Sequence, residues 1–231
     1  MAHASLMAFD ELPAKERWFC RARLKLAPLE QVAARASGND ILDVGCGHGV
    51  LAALLLYGHP ERRVVGIDPD LRKIEWANES IGKQPTAEFR AVTIEALAAE
   101  RPAAFDSVII ADVLCLIARA TWPPFLDAAR RLLRPGGQLL LKDAENDGSW
   151  RAVKALWQER LMVHVLRRTV STGGIGFATR EELAGYVMRA GFVVDDIREA
   201  MTEVQAAGVE IVGEPEASNG HVLVVSLTRF P

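Results

Sequence analysis

The sequence predicts a doubly wound α/β fold, a mostly parallel sheet covered by helices on both faces, with an N-terminal helix and a helical insertion added to it. Three observations carry this. From Ile41 onward, short β-rich apolar runs alternate with helical patterns. A glycine-rich stretch, Gly45 to Gly49, joins the first run to the first helix of the alternation. Gly and Pro breakers then separate the later helices from the strands that follow them.

The runs read as strands are Ile41–Val44, Arg63–Ile67, Glu88–Val92, Ser107–Ala111, Gln138–Lys142, Phe192–Ile197 and His221–Leu227. Helices are expected over Val50–Tyr57, Leu71–Ile81, Trp122–Leu133 and Arg180–Ala190, ending near Gly58, Gly82, Pro135-Gly136 and Gly191. Thr179 starts the last of them with Glu182 three residues on, the spacing of a capping box. Two segments stand outside the alternation. Residues 1–39 form an N-terminal helical cap with a helix from Lys15 to Leu26, and the domain of residues 40–231 carries an insertion at about 144–178.

Half of the 231 residues are apolar and a quarter are charged, a globular balance that fits one domain. The net charge of −3 gives no long-range attraction for phosphate backbones, so no nucleic-acid partner is expected. The first ten residues lack the pattern of a secretory signal, and no stretch reaches membrane-span length. Cys20, Cys46 and Cys115 are an odd number without metal-type spacing, which predicts reduced thiols, a cytoplasmic protein and no metal.

The chemistry is concentrated at Asp43-Val-Gly-Cys-Gly-His-Gly49. Glycines between a strand and a helix let a ligand approach the main chain and the helix N-terminus. About twenty residues further on, Asp68 ends the next strand, where a carboxylate can accept both hydroxyls of a ribose. A structural turn explains the glycines but not Asp68. In a dinucleotide oxidoreductase the glycines are spaced G-x-G-x-x-G, whereas here the third comes one residue early. The negative charge of Asp43 beside the loop suits the sulfonium and amino group of S-adenosylmethionine and repels a pyrophosphate.

In the phrases ILDVGCGHG, VVGIDPD, FDSVIIADVL and LLRPGGQLLL the sequence resembles the class I, seven-stranded S-adenosylmethionine-dependent methyltransferases, from about Asp40 to the end. The resemblance implies a seven-stranded sheet with His221–Leu227 as its antiparallel last strand. It also implies that Gly45, Cys46 and Gly47 line the methionine part, Asp68 holds the ribose and Pro69 flanks the adenine. After the third strand the family usually has an acidic residue for the adenine amino group. This chain has Val92-Thr93-Ile94-Glu95 instead, so Thr93 or Glu95 takes that contact. Ala111 and Asp112 end the fourth strand, where the family places groups beside the transferred methyl.

Methyl transfer is a direct displacement that needs alignment and, for a hydroxyl acceptor, a base. Asp112 has three readings: it binds the methionine amino group, orients the acceptor, or caps the helix that follows. Asp143, near Glu145, Asn146 and Asp147, is either a base or acceptor ligand, or part of a solvated acidic loop. A catechol-type Mg²⁺ site would need an Asp-Asn pair after strand five, and Asn146 comes too late. Ser149 to Val170 reads as a helix with Trp150, Val153, Trp157 and Leu161 on one stripe, a lid or a packed surface helix, and Ser171 to Gly176 as its hinge. His164 in that helix is a candidate base or an ordinary surface residue. The Lys15–Leu26 helix mixes basic and apolar residues and is read first as a cap over the cofactor. A membrane surface or an acidic carrier protein is its secondary partner.

The expected function is methyl transfer to a small, rather apolar metabolite, at oxygen first and at nitrogen or carbon second. A catalytically silent cofactor-binding subunit and a nicotinamide-dependent oxidoreductase are the alternatives.

Overall fold

The computed structural model describes residues 2–144, 178–200 and 222–229. Its elements run α1 Ala2–Met7, α2 Ala14–Leu26, α3 Leu29–Arg35, β1 Asp40–Val44, α4 Val50–Gly58, β2 Arg63–Ile67, α5 Leu71–Glu79 and β3 Ala87–Arg90. They continue with α6 Ile94–Glu100, β4 Phe105–Ala111, α7 Trp122–Leu132, β5 Leu133–Ala144, α8 Arg180–Arg189, β6 Phe192–Ala200 and β7 Val222–Arg229.

The parallel part of the sheet has the order β3-β2-β1-β4-β5, and beyond β5 come β7 and then β6, with β7 antiparallel to both its neighbours. Because β1 lies between β2 and β4, the strand order turns there, and the crevice beyond the carboxyl ends of β1 and β4 is the place where such sheets bind ligands.

The strands are nearly continuous apolar runs because both faces are covered. Ile41, Ile109 and Leu140 pack into one layer with residues of α2 to α5, while Leu42, Val44, Val108, Ile110, Leu139 and Leu141 pack into the other with α6 to α8. Alternation along β1 therefore turns Asp43 to the same face as Ile41. Phe9, Leu12, Cys20, Leu24 and Val32 belong to that same layer, so the N-terminal helices share the core of the sheet. The guanidinium of buried Arg62 donates to the carbonyls of Ala33 and Ala36 and closes the C-terminal end of α3.

Several boundaries differ from expectation for local reasons. The helix expected to reach Ile81 ends at Glu79, because Ser80 leaves helical backbone and its hydroxyl donates to the Trp76 carbonyl at 2.7 Å. β3 ends at Arg90, and Thr93 is the N-cap of α6, its Oγ1 accepting from Ala96 N–H at 3.3 Å. β5 begins at Leu133, through the Pro-Gly-Gly stretch expected to be a turn, with an irregularity in its pairing between Phe105 and Ser107. The Thr179–Glu182 capping box is present in both directions, at 3.2 and 3.0 Å. The expected 149–170 helix with His164, the 171–176 hinge, and Glu145, Asn146 and Asp147 lie outside the described residues. Among the described residues, no helix is long and apolar enough to cross a membrane.

Candidate active site

The cleft opens at the turn in strand order. Its walls include the loop from Gly45 to His48, Asp43, Asp68, Pro69, Ala111 and Asp112, with Phe19 and Arg23 contributed by α2. The loop is pinned to the next strand, since the N–H groups of Gly45 and Cys46 both donate to the Ile67 carbonyl, at 2.7 and 3.0 Å. Two glycines explain its composition. Gly49 has φ +80°, and a Cβ there would stand 2.6 Å from Ile81 Cγ2. Gly47 has φ +55°, and a Cβ there would meet nothing within 4 Å, so at this point the bare main chain faces open space.

Asp68 ties the two motifs together. One carboxylate oxygen accepts from Gly47 N–H at 3.2 Å, the other accepts from Asp70 N–H at 2.9 Å, and Lys73 Nζ lies 3.6 Å away. Asp43 is only 2% exposed, and its Oδ2 has no hydrogen-bond partner among the described residues. Burial pushes its carboxyl up to about 7, with the charge of Arg23 opposing and that of Asp68 reinforcing the rise. Burial likewise pushes the Cys46 thiol well up, so it stays protonated and inert.

Asp112 adopts φ +57°, an unfavourable backbone for a residue with a Cβ. Lys142 holds it from both ends: Asp112 N–H donates to the Lys142 carbonyl at 2.8 Å, while Lys142 Nζ donates to the carboxylate. Arg23 Nη2 lies 2.6 Å from the other carboxylate oxygen. Burial works to raise this carboxyl, but Lys142 and Arg23 outweigh it and hold the group below the ordinary aspartate range.

The sequence candidates therefore divide. Asp43, Gly45, Cys46, Gly47, Asp68, Pro69, Ala111 and Asp112 come together along the cleft, and Gly49 caps α4 behind the loop. Asp143 is not among the lining residues; its Oδ2 accepts from Cys115 N–H at 3.0 Å, beneath the short turn Leu114–Leu116. Thr93 is engaged as a helix cap, and Ile94 is buried in the layer of α6 to α8. Among the described residues, no group of His, Cys, Asp and Glu is arranged to hold a metal ion.

Five contributors were not singled out from the sequence. His48, 6% exposed, donates from Nε2 to Glu16 Oε2 at 2.9 Å and faces the Phe19 ring at 5.1 Å between centroids. Glu16, Phe19 and Arg23 were legible only as a helical i, i+3, i+7 stripe, and Lys142 only as a charge inside an apolar strand.

Fold and cleft together define a nucleoside-cofactor protein in which a buried acidic side chain, Asp43, stands at the root of the loop with one oxygen unpartnered, where a dinucleotide site would need to receive a pyrophosphate. A methyltransferase-domain family model matches residues 15–197, and the chain belongs to that family of S-adenosylmethionine-dependent methyltransferases, class I. A ubiquinone biosynthesis O-methyltransferase of Xanthomonas euvesicatoria pv. vesicatoria is 28% identical over 171 residues, covering 73% of this chain and 70% of that protein. Its counterpart in Leptothrix cholodnii is 32% identical over 120 residues, 51% of this chain and 49% of that one, so the chain spans about half of that relative's length. In structure the chain is similar to a 1,6-didemethyltoxoflavin-N1-methyltransferase of Burkholderia thailandensis, solved with bound 1,6-didemethyltoxoflavin and S-adenosylhomocysteine. The TM-score is 0.62 at 17% identity, covering 99% of this chain and 89% of that one.

The residues present fit S-adenosylmethionine: a buried carboxyl oxygen of Asp43 without a hydrogen-bond partner suits a cation, the open face at Gly47 admits a ligand to the main chain, and Asp68 directly follows the neighbouring strand beside the loop.

Proposed function

We propose that the chain methylates an oxygen of a small, rather apolar metabolite, with no metal and with nitrogen or carbon acceptors as the lesser case. The observation that carries the donor half is the buried Asp43 side chain at the root of the glycine loop, whose Oδ2 has no hydrogen-bond partner among the described residues. The acceptor half is supported by the apolar wall of Phe19, Leu29, Val113, Leu116 and Ile117 along the cleft, and by the O-methyltransferase names of the relatives.

Bound S-adenosylmethionine supplies an electrophilic methyl group on a sulfonium. The chain's part is to hold and align. Asp43 receives positive charge in a dry setting where an ion pair is worth far more than in water. Asp68 accepts from the ribose hydroxyls while holding the loop in place. Asp112, kept ionised, orients whatever donor of a hydrogen bond lies at the methyl end. Asp143 acts on the cleft wall through Cys115 as a positioning residue, and His164 stays a candidate base for a hydroxyl acceptor. We take the sheet as the family's seven-stranded form, with β7 its antiparallel strand, the cap at 1–39, the lid at about 144–178 and a cytoplasmic setting. A membrane surface or an acidic carrier protein is the partner to consider for the outer face of α2, where Trp18 is exposed.

The experiment is incubation with methyl-labelled cofactor and a panel of phenols, carboxylic acids and amines in the presence of a chelator. Label in a phenol or carboxylate supports the proposal. Cofactor binding with no label passed to any acceptor identifies the silent subunit instead.

A further inference from the structure

Glu16, Phe19 and Arg23 lie on one face of α2, and each meets a residue that lines the cofactor cleft. Glu16 and Phe19 meet His48 of the glycine loop, at 2.9 Å and at 5.1 Å between ring centroids. Arg23 meets Asp112 at the end of β4, at 2.6 Å. One helix thus bridges the two neighbouring strand ends between which the sheet opens. The residues it engages are the ones least able to hold themselves. Asp112 is in left-handed backbone, and such strain persists only where surroundings enforce it. His48 is buried within a loop that has positive φ on both sides of it, at Gly47 and Gly49.

Lys142 is the fixed counterpart. It is 5% exposed on β5 and grips Asp112 by its main chain and its ammonium. With Lys142 hydrogen-bonded to one oxygen and Arg23 in ion-pair contact with the other, the carboxylate is held between two cations.

We propose that α2 positions the methyl-donor site: Arg23 acts through Asp112, with Lys142 as its fixed partner, and Glu16 acts through His48, so that the cleft is complete only while α2 is seated. Arg23, Glu16 and Lys142 are positioning residues for the proposed methyl transfer. The proposal rests on the cofactor assignment above.

The test is a double-mutant cycle on the full chain, Arg23→Met, Asp112→Asn and both together, read by calorimetric affinity for S-adenosylmethionine. Arg23→Met keeps the apolar stem against the cleft and removes the charge. It is expected to weaken binding by about tenfold, with Arg23→Lys within about threefold of the parent and the double variant no weaker than the weaker single one. Effects that multiply, or an Arg23→Met affinity equal to the parent's, overturn the proposal. A purely structural Arg23 would lower the unfolding temperature without this coupling and without rescue by lysine. Glu16→Gln is the second arm, should Arg23→Met fail to fold: weaker binding at an unchanged unfolding temperature supports the proposal, and unchanged binding contradicts it. A parent chain that binds no S-adenosylmethionine would instead remove the cofactor assignment itself.

Discussion

The amide of Gly47 donates to the Asp68 carboxylate at 3.2 Å, so the loop after β1 and the acidic end of β2 are one unit. Asp68, proposed as the ribose acceptor, is also the strut of the loop. Asp68→Ala removes both and should weaken S-adenosylmethionine binding by about 10- to 100-fold, the worth of one or two charge-assisted hydrogen bonds. Isothermal calorimetry reads this directly, and unchanged affinity would show the ribose assignment to be wrong.

The glycines separate fold from binding. Gly49→Ala places a Cβ 2.6 Å from Ile81 at φ +80°, and should lower the unfolding temperature by roughly 2–8 °C. Gly47→Ala meets no atom within 4 Å, so only the cost of its positive φ, about 1 kcal/mol, falls on stability. Its methyl would occupy open space in the cleft, and cofactor affinity should drop by more than about tenfold. Thermal melts and calorimetry on the pair check the opposite orderings.

Asp143→Ala leaves the buried N–H of Cys115 without that acceptor, and should cost about 1–3 kcal/mol of stability in denaturant titration. With an acceptor in hand, its turnover loss should recover at low temperature, where the folded population is restored. A turnover defect that persists in fully folded protein would make Asp143 part of the chemistry.

The sequence revealed the glycine loop, Asp68 and the alternating core because each depends on local pattern: glycine where φ is positive, a carboxylate at a strand end, apolar runs buried on two faces. The α6 helix was hidden because Val92-Thr93-Ile94-Glu95 was read as a cofactor loop, although Thr93 ahead of an Ala, Leu and Glu run is a cap signature. α3 escaped because its seven residues are too few to show a period, and its end is closed by Arg62 from a distant turn. The clasp of Arg23 on Asp112 and of Glu16 on His48 is tertiary, and no spacing in a single chain encodes it. Asp43 was read as charged from its sequence context, whereas burial pushes its carboxyl up to about 7.

That last property sets a pH dependence. The folded carboxyl of Asp43 titrates at about 7 against an ordinary value of 3.8, so between these values the folded chain binds more protons than the unfolded one. Stability of the cofactor-free protein should therefore fall as pH rises through this window and level off above it. Asp43→Asn should flatten the slope in urea titrations run across that range.

The most direct measurement is S-adenosylmethionine calorimetry at pH 6 in buffers of differing ionisation enthalpy. A cation binding beside Asp43 should expel its proton, and the expected release approaches one per site in the parent chain and vanishes in Asp43→Asn. Binding without proton release from the parent, or a heat of binding from NADH and none from S-adenosylmethionine, would contradict the account.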